Sequence, residues 1–211
     1  MRRRTFDALV STGALVIAIL LVVAGGLLLW GHNFAQDNVK QQLSQQHIYF
    51  PPAGDPQLKE PAIGNYLSKY AIPADKAGHG MQVTTYSQAY DYANHYIAVH
   101  MEGIAGGKTY SEVSGEYLAL LNTNPKDPKV AELGQQRQTL FMGDTLRGLL
   151  MDAYAFGKFG QIAFVSAIVS FIAAGALLLL SALGFWHLRR VSPETEVLPT
   201  LGAHTPAPVE R

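Results

Sequence analysis

Polar and apolar positions are distributed very unevenly along the chain. Ala8 to Trp30 is a run of 23 residues without an ionisable side chain, and Ile162 to Trp186 is a second of 25. At ~1.5 Å per residue each run, as a helix, exceeds the ~30 Å hydrocarbon core of a bilayer. Core helices of soluble proteins rarely run so far without a charge, so the pattern predicts two transmembrane helices. Trp30, and Phe185 with Trp186, stand where interfacial aromatics belong.

Between these runs the periodicity is helical, and strand-like alternation is scarce. Phe34, Val39 and Leu43 continue the first span outward at 3–4 spacing, and Tyr49-Phe50-Pro51-Pro52 stops it. A loop-rich stretch follows to Gly80, with a short helix expected around Ile63 to Tyr70. Thr85-Tyr86-Ser87-Gln88 and Thr109-Tyr110-Ser111-Glu112 both fit the capping box. They predict one helix to about Glu102, ending before Gly103, and another to about Leu121. Asp127-Pro128 marks a third start, with an N-cap Asp and Pro at the first helical position. That helix runs towards the second span, with a break expected at Gly143-Asp144. Ser192 to Arg211 is rich in Pro and Thr and predicts a disordered tail with no room for an output domain.

Charge then supplies the topology. Arg2, Arg3 and Arg4 precede the first run, and Arg189 and Arg190 follow the second. The positive-inside rule puts both flanks, and so both termini, in the cytoplasm of a plasma-membrane protein. The first apolar run is too long for a signal-peptide core, and Asn33-Phe34-Ala35 is a poor cleavage site, so an uncleaved anchor is expected. The layout expected is residues 1–7 in the cytoplasm, span 8–30, extracytoplasmic helical domain 31–161, span 162–186 and cytoplasmic tail 187–211. The expected fold is therefore mainly α: two antiparallel transmembrane helices carrying an extracytoplasmic helical domain.

The full chain of 211 residues has 16 basic and 16 acidic side chains. Gly31 to Gln161 holds ten of the former and twelve of the latter, so neutrality conceals an acidic outer segment and basic flanks. No basic excess exists to hold a phosphate backbone, which argues against nucleic acid as a partner. With no cysteine there is no disulfide, thiolate metal site or cysteine nucleophile.

Candidate chemistry is thin. On an ideal helix from Tyr86, Asp91, His95 and Glu102 share one face, the best arrangement for a metal, although the same face reads as the solvated side of an amphipathic helix. His100 falls with Tyr90, Ala93 and Ile97 on the other face and reads as a hydrogen-bonded core histidine. Gly103-Ile104-Ala105-Gly106-Gly107-Lys108-Thr109 ends like a phosphate loop, but that spacing needs a Gly at Glu102. It reads instead as a helix stop and the next cap. No catalytic motif or cofactor fingerprint is present, and no cofactor is expected. The spans lack a charged or His residue that could serve as an ion station.

An interaction role is better supported. Leu146, Leu149, Leu150, Ala153 and Gly157 fall on one apolar stripe that needs a protein partner. Ala163 and Ala167, and Ser166, Ser170 and Ala174, place small residues at four-residue spacing, where another helix can approach closely. The partners expected are the lipid bilayer and either another membrane protein or a second copy of this chain. The leading reading is a non-enzymatic accessory subunit of a cell-envelope complex. The alternative is an outer ligand-binding domain that senses through a partner, and a metal-dependent enzyme using His79, His95, His100 and Glu102 ranks last.

Several stretches resemble a family of two-pass membrane proteins from high-GC Gram-positive bacteria. They include Ala24 to Trp30, Gln46 to Pro51, Tyr92 to His100, Gly106 to Ser114, Thr145 to Leu150 and Ala153 to Gly157. Members often carry the label of an aromatic ring-opening dioxygenase. The resemblance implies the two-pass topology. Ring opening of that kind needs iron held by two His and a carboxylate. His95 and His100, five residues apart, point to different faces of one helix.

Overall fold

The computed structural model describes residues 3–190. Ser192 to Arg211, expected to be a disordered tail, lies outside the described residues. The fold is mainly helical, and no strand occurs among the described residues. Six α-helices follow in order: α1 (Arg3–Gln45), α2 (Pro61–Leu67), α3 (Tyr86–Tyr92), α4 (Ala98–Glu102), α5 (Tyr110–Thr123) and α6 (Pro128–Leu188). A π-helical turn, Ala93–Ile97, joins α3 to α4. Two of these helices, α1 and α6, are long and apolar enough to cross a membrane.

Local signals explain most boundaries. Thr85 and Thr109 both form complete capping boxes, with Gln88 and Glu112 reaching back to the cap backbone. Asp127 Oδ1 accepts from the Lys129 N–H at 2.9 Å, and Pro128 opens α6. No break occurs at Gly143-Asp144, contrary to expectation, and α6 is continuous over 61 residues. An interior Gly costs a helix only about 1 kcal/mol. Gly143 is also packed closely against Met101, where a side chain would collide.

The chain forms two compact units. The first joins the part of α1 up to Trp30 with α6 from Phe164. Its buried positions recur every seven residues: Ser11, Ala18 and Gly25 on α1, and Ala167, Ala174 and Ser181 on α6. Ser181 Oγ donates to the Ser11 carbonyl at 2.8 Å, Gly184 closes on Ser11, and Gly25 faces the Phe171 ring. Small residues thus bring the two backbones together, and apart from Phe171 many large side chains point away. Leu20, Leu27, Ile172 and Leu179 are each more than 60% exposed. Only 11% of the most apolar stretch of each helix is buried, whereas a core helix in a soluble protein is mostly covered.

The second unit is Gly31–Ala163. Its core gathers Val39 and Leu43 from α1, Phe50, Ile63 and Leu67, Val83, Ala89 and Ala93, Ile97, and Leu150 from α6. The segments after α1 and before α3 meet at one isolated bridge between Tyr49 and Gln82. There the Phe50 N–H donates to Met81 O at 2.8 Å and the Val83 N–H to Ile48 O at 2.9 Å. The α1 and α6 segments are pinned directly. The His32 ring donates from Nδ1 to the Gly160 carbonyl at 2.9 Å, and Gln36 Nε2 donates to the Gly157 carbonyl at 2.9 Å.

Candidate interaction groove

Asn38, Val39, Gln42, Leu43 and Gln46 fall on one side of α1 and just past its end, since residues three and four apart share a helix face. On α6 the same rule aligns Leu146, Leu149, Leu150, Ala153 and Phe156. The two rows border an open groove of about 490 Å³, with Ile48 and Asp152 completing its lining. Val39, Leu43 and Leu150 are buried and form its floor. Leu149 stands on the opposite rim, 62% exposed, and Leu146 and Phe156 are also exposed. Amides make the α1 rim, with Gln42 Nε2 donating to Asn38 Oδ1 at 2.9 Å.

The predicted stripe therefore divides by role. Leu150 is buried in the core and floors the groove, Ala153 packs half-buried beside it, and Leu146 and Leu149 are exposed at the rim. Ala163 is half-buried and Ala167 fully buried, outside the groove. Ala167 belongs to the small-residue row shared with Ala174 and Ser181. The amide rim was not singled out in the sequence, because Asn38, Gln42 and Gln46 belong to no chemical motif. Their four-residue spacing beside Val39 and Leu43 is the one signal that marks them.

Asp91, His95 and Glu102 do not come together. Among the described residues no group of three His, Asp or Glu side chains could hold a metal ion. Asp91 is buried at 8% exposure rather than lying on a solvated face. Its Oδ2 accepts from the Tyr70 hydroxyl at 2.6 Å and pairs with Lys69 Nζ at 2.8 Å. By accepting a hydrogen bond from the Lys69 ammonium, Asp91 holds it above its usual pKa. Burial, and then Asp91, push the Tyr70 phenol up. Burial also pushes up the neighbouring Tyr92 phenol.

His95 stacks flat on Tyr66, with ring centroids 3.6 Å apart. Glu102 is exposed at the end of α4, and His79 stacks on Tyr49. His100 is exposed and not a core residue. Its Nδ1 lies 2.7 Å from Tyr96 O, and its Nε2 lies 3.0 Å from Gln57 Oε1.

One local feature explains these departures. The π-helical turn widens the helix at Ala93–Ile97, so the residues on either side no longer share the faces of an ideal helix. Asn94 anchors it: its Nδ2 donates to Tyr90 O at 3.1 Å, and its Oδ1 accepts from Arg147 Nη2 at 3.0 Å. A side chain that competes for the helical ladder is an established cause of such distortions. Arg147 comes from α6, so the distortion depends on tertiary contact.

Compared with family models, curated proteins and solved structures, the chain matches none of them.

Proposed function

We propose that this chain is an integral plasma-membrane accessory protein of the cell envelope, with no catalysis of its own. In this reading α1 and α6 cross the bilayer antiparallel, residues 31–161 fold outside, and both termini lie in the cytoplasm. Contacts of Ser11 with Ser181 and of Gly25 with Phe171 support that antiparallel pairing. Outward-facing aliphatics suit a lipid surround, since lipid tails are as apolar as leucine. The resemblance to two-pass membrane proteins agrees with the same topology.

The observation that carries the interaction role is the open apolar groove beneath Leu149. An exposed apolar patch rimmed by polar groups marks a binding surface. Purification of the full chain in mild detergent, followed by mass spectrometry, tests the reading. One membrane protein co-purifying at fixed ratio supports it, and a homogeneous chain without a partner overturns it.

A second reading is favoured by the size of the groove. About 490 Å³ falls within the range of small-molecule sites, which suits an outer sensor domain that signals through a partner. Native mass spectrometry of the detergent-solubilised chain would reveal a retained small molecule in that case.

A further inference from the structure

We infer that the groove between α1 and α6 receives an amphipathic helix of another membrane protein, one that sets a Lys or Arg against Asp152. The inference rests on the accessory-protein reading and specifies the chemistry of the partner.

Shape is the first support. Both walls are helical, and each presents side chains three and four apart: Val39, Leu43 and Gln46 on one wall, Leu146, Leu149, Ala153 and Phe156 on the other. Two such rows form the trough into which a third helix lays its own apolar ridge. The α6 row spans eleven positions, about 15 Å of helix, which is enough to engage roughly three turns of a partner. A compact ligand would meet an open trough and not an enclosing cavity.

Charge is the second support, and it separates a foreign helix from a second copy. Asp152 is the one ionisable side chain among the described residues that line the groove, and the opposite rim offers only amides. A two-fold pair of identical chains docked through α6 would bring the two Asp152 carboxylates towards each other. Like charges so placed are repulsive, whereas a cation there is complementary. Asp152 is exposed and no lining residue offers it a cation, so a cation on the partner is the complementary match.

The test places a photo-crosslinking amino acid at position 149 of the full chain in its native membrane. Leu149 is exposed, so its replacement leaves the core intact. The adduct should map to one helical segment of a different membrane protein that carries a Lys or Arg. Asp152→Lys should lower the adduct yield by about tenfold, and reversing the partner's cation to Glu should restore it. Circular dichroism of the Asp152→Lys chain checks that the loss is not unfolding. An adduct with a second copy, with lipid, or with a segment lacking a cation overturns the proposal, as does an Asp152→Lys variant that crosslinks unchanged. Absence of any adduct at 149 while a partner still co-purifies sinks the groove but spares the accessory reading. Absence of both sinks the two together.

Discussion

Ser181 Oγ donates a hydrogen bond to the main-chain carbonyl of Ser11 at 2.8 Å, and both side chains are buried. The carbonyl already belongs to the α1 ladder, so the extra bond requires close backbones. Gly184 provides that closeness, because a Cβ there would collide with the Ser11 side chain.

Gly184→Val should therefore separate the helices and cost about 1–3 kcal/mol, the usual penalty of overpacking. Ser181→Ala, which removes the hydrogen bond and adds no bulk, should cost only about 0.6 kcal/mol. Thermal unfolding in detergent would measure both. Equal effects would show that the hydrogen bond, and not the spacing, holds the pair.

Asp91 should matter more than any exposed carboxylate of the second unit. Asp91→Ala leaves the Tyr70 hydroxyl part-buried without its acceptor, a loss of roughly 1–3 kcal/mol. Lys69 and Tyr70 both bind their protons more tightly in the folded chain than at their ordinary values of 10.5 and 10.0. That contribution is complete below those ordinary values and is lost as pH rises through the raised ones. Stability should fall on the alkaline side of pH 10, and Asp91→Asn should flatten the fall. A denaturant series between pH 8 and pH 12 would read it.

Gly157→Ala sets two effects against each other. Alanine gains about 1 kcal/mol of helix propensity over glycine in an exposed helix interior. At this position, however, the added Cβ would run into Tyr86 at the start of α3, beside the capping box of Thr85. The clash should win, with a net loss of about 1–3 kcal/mol. An increase in melting temperature would show that α3 yields more easily than its packing implies.

At the start of α5, Thr109→Ala should cost about 1 kcal/mol through loss of the cap. Backbone and side-chain hydrogen bonds from Thr109 hold the Glu112 carboxyl below its ordinary value. Its contribution is present above that ordinary value and disappears as pH falls through the lowered one. The difference between Thr109→Ala and the native chain should therefore shrink in acid, as followed by helical ellipticity between pH 2 and pH 6.

Much of the secondary structure was legible because its causes lie within a few residues of one another. Thr85, Thr109 and Asp127 cap as their neighbours require, and α1 ends at Gln45, shortly before Pro51-Pro52. The candidate site was legible only in part. Leu146, Leu149 and Ala153 could be aligned by spacing, but nothing local reveals that Leu150 turns to the core while Leu149 stays exposed. That division depends on Val39 and Leu43, more than a hundred positions earlier.

By itself the sequence determined the two ionisable-free runs, the caps, and the lack of any covalent staple, because charge, periodicity and end signals act locally. Tertiary structure decided which face each helix uses. It selected the seven-residue row of Ser11, Ala18 and Gly25 against Ala167, Ala174 and Ser181, taking Ala167 and Ala174 one from each of the two four-residue rows that the spacing had suggested. It also carried α6 unbroken past Gly143 and opened the π-helical turn that breaks the shared face of Asp91, His95 and Glu102. The reason is the same in each case. A helix can bury any sufficiently small or apolar face, and only a partner distant in sequence selects one.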